Sequence, residues 1–492
     1  MERFPRTSAD ADQLIQLGKL LNEVIQTVTK EWSEEKFAKK GGDTNGVNGA
    51  KAPTELSDTA DVLPSWPLFQ AQRTIHSIAG ALTELVTEPH NRLTEFMGGY
   101  WESRALFIAA ERRIPDLLDA AGPDGLDVKA IAKQTGIEHL KLSRLLQCLA
   151  SNHILRLSGP ERFANNRISQ CLVHNEPMRA YVMNFNLDLY TAAERLPKYL
   201  LGPKGASYSV TEAAWHEAIG TKKPRWDWLA ERVSPSEIQN DGIGYPGVPD
   251  SSQWAHLKPD ADGKVARPEL EIFGPAMVGG GRATGPSQPF DFPWKELPEG
   301  ATIVDVGGGV GGFCMQLLKV YPHFNCVVED RAEVVKKGET DVWPNAAPEL
   351  LASGKVKFMA HDFFQANPVE GADVYWLRGI LHDWSDDYCV EILSNIRDQM
   401  GENSRILICD QVMNTTYGCE EIPGAPKPLP ANYGYYTRFM HTRDLSLMAC
   451  INGIERTPAQ FKDIIEQAGL KLSKIYETRS LFGIIEVTIN LE

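Results

Sequence analysis

Apolar residues recur at helical spacing from the start of the chain. Leu14, Leu17, Leu21, Val24, Ile25 and Val28 predict an amphipathic helix over about 8–37, with Ser8 and Asp12 suited to its first turn. Leu68, Ile75, Ile78, Leu82 and Leu85 predict a second over about 67–88. Residues 39–61 between them are rich in Gly, Asn, Thr and Asp and read as a flexible linker. From 101 to 173 the pattern gives helices over 104–119, 130–134 and 140–150, then a hairpin over 156–164, which is a winged-helix arrangement. Further helices are expected over 180–201, 211–233 and 269–277. The Gly-, Pro- and Asp-rich stretch 234–268 reads as an inserted loop or lid.

After Pro298 the period changes. Apolar runs at 302–306, 325–329, 356–360, 373–377 and 405–410 read as strands, with helices over 313–321, 332–337, 385–400 and 458–468. Two late strands, 471–477 and 481–488, follow with no helix between them. The expectation is an α/β, doubly wound, seven-stranded domain whose final hairpin adds an antiparallel edge strand.

Composition narrows the function. With 492 residues, 42% hydrophobic and 23% charged, the chain can bury more than one core. Lys141 and Arg144 lie where a winged helix would touch DNA. A net charge of −15 opposes that reading, since neutralising phosphates needs clustered cations, and no nucleic-acid partner is expected. The eight cysteines show no CxxC pairs, so buried thiols in a reducing compartment are expected. No apolar run reaches the roughly 20 residues of a membrane span, and the first residues carry no apolar leader. A cytoplasmic protein is the expectation.

Candidate chemistry collects at the ends of the strands, where doubly wound sheets bind ligands. Asp305 is followed by Gly307, Gly308, Gly309, Gly311 and Gly312, a loop on which a ligand can press against backbone. The second strand runs into Asp330, placed to accept ribose hydroxyls. The third leads to His361-Asp362-Phe363-Phe364, the fourth to Arg378 and then His382-Asp383-Trp384, and the fifth to Asp410. His382 precedes a helix start at Ser385, on a connection rigid enough for proton transfer. His361-Asp362 and His382-Asp383 do not make a metal cluster, and no metal is expected.

Four stretches in this order resemble the plant caffeate-type O-methyltransferases and their fungal relatives. They are Val304 to Gly311, His361 to Phe364, Leu377 to Asp386, and Asn452-Gly453-Ile454-Glu455-Arg456-Thr457. The resemblance runs from about residue 99 onward and leaves out 1–63. It implies a Rossmann-like methyltransferase domain over 299–492 and a mainly helical, winged-helix dimerisation domain over 64–205. The remaining parts are then an N-terminal helix and linker (1–63) and a helical connector carrying the insertion (206–298). S-adenosyl-L-methionine is the implied cofactor, met by Gly307, Gly308, Gly309, Asp330, Asp362, Phe363 and Arg378, where Arg378 replaces a common Lys. His382 is the implied base, flanked by Asp410 and Glu455; Asp410 stands where Glu is frequent and is one methylene shorter. The implied reaction is methylation of a phenolic hydroxyl on a small aromatic, secondary-metabolite substrate by a homodimer. Two other readings remain open at this point: a methyltransferase fold catalysing a non-methylating step such as a pericyclic reaction or dehydration, and a DNA-binding regulator with a vestigial methyltransferase domain.

Overall fold

The computed structural model describes residues 5–38, 63–236, 256–284 and 286–490. The linker expected over 39–61 and most of the insertion over 234–268 lie outside them. The chain divides into two units. One comprises Met1–Thr87, Thr284–Leu447 and Gly453–Glu492; the other comprises Glu88–Ala283 with Met448–Asn452.

The first unit is built on seven strands: β1 (Thr302–Val306), β2 (Asn325–Asp330), β3 (Val356–Ala360), β4 (Val374–Arg378), β5 (Arg405–Asp410), β6 (Leu470–Tyr476) and β7 (Gly483–Ile489). Their order across the sheet is β6-β7-β5-β4-β1-β2-β3. The β1–β2, β2–β3, β1–β4 and β4–β5 pairs are parallel, while β7 runs antiparallel to both its neighbours. Continuous runs such as Ile406-Leu407-Ile408-Cys409 suit strands covered on both faces. One face is packed by α3 (Gly312–Val320), with Phe313, Leu317 and Trp294 around Trp376. The other is packed by α4 (Asp386–Arg397) and α6 (Pro458–Gln467), through Cys389, Ile392, Phe461 and Ile464. A capping box between Thr457 and Gln460 starts α6.

The final hairpin differs from expectation. Its antiparallel strand, β7, lies inside the sheet, pairing with β5 from Arg405↔Thr488 to Asp410↔Gly483, and β6 forms the edge. The side chains explain the choice. Ile484, Ile485 and Val487 are buried, whereas Lys471, Ser473 and Lys474 leave β6 polar, as an unpaired edge requires.

Two more helices, α1 (Ser8–Ala38) and α2 (Trp66–Val86), pack on each other and belong to this unit. Leu17, Ile78 and Leu429 form their shared core. Arg73 of α2 lies 4.0 Å from the Tyr433 ring centre and 3.0 Å from Glu477. The first unit, as divided by its internal contacts, includes both helices through Thr87. A helix not anticipated from the pattern, α5, spans Arg438–Ile451.

In the second unit, helices Val128–Thr135 and His139–Ser151 pack with a three-stranded sheet of Leu126–Asp127, Leu155–Gly159 and Arg162–Asn165. Ile131, Leu142, Leu146 and Phe163 fill its core. The wing thus carries one short strand more than expected. The helix expected over 104–119 breaks at Arg113, whose φ is +49°. The one expected over 211–233 becomes Ala214–Ile219 and Arg225–Ala230, separated by a left-handed Gly220.

Candidate active site

The loop after β1 is fixed mostly through its backbone. Gly308 N–H donates to the Glu329 carbonyl (2.9 Å), Gly309 N–H to Asp330 Oδ2 (2.8 Å) and Gly311 N–H to the Gly308 carbonyl (3.0 Å). Trp343 Nε1–H donates to the Val310 carbonyl at 2.9 Å and holds the loop from outside. Gly307 has φ +70°, and a Cβ there would come within 2.4 Å of Ile380 Cδ1. At Gly309, φ +61°, a Cβ would meet nothing within 4 Å, so the crest of the loop is open to a ligand.

Beneath the loop, Cys314 Sγ–H donates to Asp305 Oδ2 at 3.5 Å. Burial pushes the Asp305 carboxyl up to about 7 against the opposing pull of Arg378. Burial also raises Asp330, although N–H groups of Arg331 and Gly309 bind its two oxygens. The Phe363 ring stands 3.8 Å from where a Gly307 Cβ would sit. Asp362 is exposed and accepts the Phe364 N–H at 3.1 Å.

The second half of the site follows β4. Gly379, at φ +66°, turns the chain into a single 3₁₀ turn, Leu381–Asp383, that carries His382. The imidazole is buried, with Nδ1 3.0 Å from Glu455 Oε1 and Nε2 3.5 Å from Asp383 Oδ1. The stretch bearing Glu455 is pressed onto this turn. Ile454 N–H donates to the His382 carbonyl (2.8 Å), and a Cβ at Gly453 would lie 2.4 Å from that oxygen, which explains the glycine. Arg456 locks the contact. Its fully buried guanidinium donates to the carbonyls of Leu381 (2.8 Å) and Trp384 (2.7 Å) and to Asp386 Oδ1 (2.7 and 3.0 Å).

Electrostatics at this turn are dominated by carboxylates. Burial alone would lower the His382 pKa, but Glu455, Asp383 and Asp410 together with the Glu455 hydrogen bond carry it up to about 9. Asp410 does not bond the imidazole. Its Oδ1 accepts the Gly379 N–H at 3.0 Å, and burial pushes its carboxyl up to about 6 against the pull of His382. The shorter side chain thus acts on the histidine through its field, and the hydrogen bond falls to Glu455.

The sequence motifs contain Asp383 and Arg456 without giving either a role, and nothing in them singled out Trp343 or, on α5, Arg443 and Asp444. Arg443 Nε–H donates to Glu455 Oε1 at 3.4 Å, and Asp444 Oδ1 accepts the Glu455 N–H at 2.9 Å. A signal existed for the arginines: a buried carboxylate at Glu455 calls for cations. Trp376 is core, stacked on Phe313 at 4.2 Å, and Met183 is buried with Phe107 and Leu187.

This strand order, with a glycine loop after the first strand and an acid after the second, is that of a Rossmann-like methyltransferase. CalO1, a methyltransferase in calicheamicin biosynthesis solved with S-adenosylhomocysteine bound, is 25% identical, with TM-score 0.59 over 82% of this chain and 98% of that one. A structure of LepI in complex with S-adenosylmethionine shares the fold at 20% identity and TM-score 0.63, over 85% and 94%.

Residues 294–471 match the O-methyltransferase domain, and residues 94–175 match the O-methyltransferase dimerisation domain. The chain is 57% identical to O-methyltransferase cicE of Emericella nidulans, over all of this chain and 92% of that protein. It is 53% identical to O-methyltransferase gedA of Aspergillus terreus, over 99% and 98%. The chain belongs to the O-methyltransferase family and is an S-adenosylmethionine-dependent enzyme of that family. Among the described residues no helix is long and apolar enough to cross a membrane.

Proposed function

We propose that the enzyme methylates a phenolic hydroxyl of a small aromatic molecule, with His382 as general base. The carrying observation is the buried His382 Nδ1···Glu455 Oε1 contact of 3.0 Å at a strand end of the sheet that bears the glycine loop. In the neutral form, the imidazole donates Nδ1–H to Glu455 and Nε2 is the acceptor. A phenol has a pKa of about 10, and a base near 9 takes its proton with little mismatch. Asp383, 3.5 Å from Nε2, and Asp410 stabilise the imidazolium that forms.

S-adenosylmethionine, when bound, supplies an electrophilic methyl group. Gly307, Gly308 and Gly309 offer it an open backbone surface, and Asp330 has oxygens for ribose hydroxyls. Phe363 and Asp362 suit adenine, and Arg378 adds a cation beside Asp305. A homodimer is supported by the dimerisation-domain match and by helix Pro89–Gly98, which buries none of its residues and exposes Leu93, Phe96 and Met97.

The test uses a panel of phenolic aromatics and isotopically labelled S-adenosylmethionine. Wild type should give methyl ethers. His382→Gln should lose at least about a hundredfold in rate while holding S-adenosylhomocysteine within about twofold. Undiminished turnover in the variant removes the base assignment, and a product without added methyl removes the reaction.

A further inference from the structure

Glu455 is asked to bind two cations with one atom. Its Oε1 lies 3.0 Å from His382 Nδ1 and 3.4 Å from Arg443 Nε, and its side chain is shut off from solvent. The Arg443 side chain is 23% exposed, so it reaches inward from the rim. Its neighbour Asp444 takes the Glu455 backbone N–H, so α5 grips that residue at main chain and side chain together.

The surrounding charges are unbalanced. His382 faces Asp383 on its own turn, Asp410 at the end of β5 and Glu455 before α6. On α5, Asp444 adds another carboxylate near Glu455, moderated by His441. Arg456 is fully buried and is committed to Asp386 and to the carbonyls of Leu381 and Trp384. Arg443 is thus the cation that bears directly on the oxygen His382 uses.

We propose that Arg443 is a positioning residue that keeps His382 available as a base. By sharing Glu455 Oε1, its guanidinium absorbs part of the negative charge that would otherwise hold the imidazole protonated. Two donors on one carboxylate oxygen each weaken the field the other feels, and a neighbouring positive charge disfavours imidazolium directly. Both effects have the same sign. A neutral residue at 443 raises the proton affinity of His382 and shrinks the fraction able to accept a proton at neutral pH. The importance of this for turnover rests on the reading of His382 as the base.

The titration itself does not need the substrate. Full-length protein carrying ¹³Cε1-labelled histidine is titrated by NMR, alone and with S-adenosylhomocysteine, and the His382 signal is assigned by its loss in His382→Gln. Wild type should titrate near 9. Arg443→Met should move the midpoint upward by about one unit, leaving about tenfold less neutral imidazole at pH 7, and Arg443→Lys should restore it to within a few tenths. If Arg443→Met does not fold, Arg443→Gln, which keeps donors without charge, is read in its place. An unchanged or lowered midpoint in the neutral variant, or no restoration by lysine, overturns the proposal. A His382→Gln enzyme that still methylates removes the base reading whatever the titration gives. An inactive His382→Gln with an unmoved midpoint removes only the role of Arg443.

Discussion

In the loop after β1 the fixing bonds all engage backbone groups of the loop itself, which reach one another, the neighbouring strand β2 at Glu329 and Asp330, and Trp343. In the turn after β4 they come from charged side chains, and Glu455 is 73 residues away from the histidine it holds. The protonation levels differ accordingly. Below the loop, burial brings Asp305 up to about 7, close to neutral, whereas at the turn carboxylates keep a histidine cationic up to about 9. A backbone cradle tolerates changes in side-chain charge, because its shape is set by φ and by steric crowding. An ionic turn does not, since every unpaired buried charge costs several kcal/mol.

This contrast can be broken in three places. The largest effect should fall on the turn. Arg456→Met strips the Leu381 and Trp384 carbonyls of their buried donor and should lower unfolding free energy by about 3 kcal/mol in urea titrations. A loss below about 0.5 kcal/mol would mean the turn stands without its clamp. An intermediate effect belongs to the loop: Gly307→Ala puts a side chain at φ +70° against Ile380 and should cost about 1–2 kcal/mol. Calorimetry should register this as about tenfold weaker S-adenosylhomocysteine binding, and unaltered affinity would show the loop to be less constrained than its geometry indicates. The smallest change is expected from replacing Trp343 with its isostere 3-benzothienylalanine, which keeps the buried ring volume and removes only the N–H donated to the Val310 carbonyl. About 1 kcal/mol in stability, read as a modest fall in melting temperature, is the outcome, and a fall as large as that of Arg456→Met would erase the distinction between the two halves.

The same contrast explains what could be read from the chain before its structure. The loop was legible because its determinants are adjacent: apolar strand, Asp305, glycines, helix. His382, Asp410 and Glu455 could be named because each closes or follows a recognisable stretch, but which carboxylate bonds the imidazole could not. That depends on how far Gly453 lets its segment approach the His382 carbonyl, a matter of tertiary distance. Arg443 and Asp444 stayed hidden because α5 mixes its apolar and polar faces, with Leu445 exposed beside buried Met440 and Ala449, so periodicity gave no helix. The hairpin was found but its order in the sheet was not. Alternation marks a strand, and only the contrast between Lys471 and Lys474 on β6 and the isoleucines of β7 indicates which one is interior.

That interior position has a consequence for biosynthesis. β5, which ends on Asp410, has β7 as its outer partner, and β7 is residues 483–489. During synthesis the strand carrying Asp410 therefore stays open along one side until nearly 80 later residues have emerged, and long-range pairing of this kind is slow to form. Until then that apolar strand has β4 on one side and an unpaired edge on the other, and such an edge is a template for wrong pairing while it stays open.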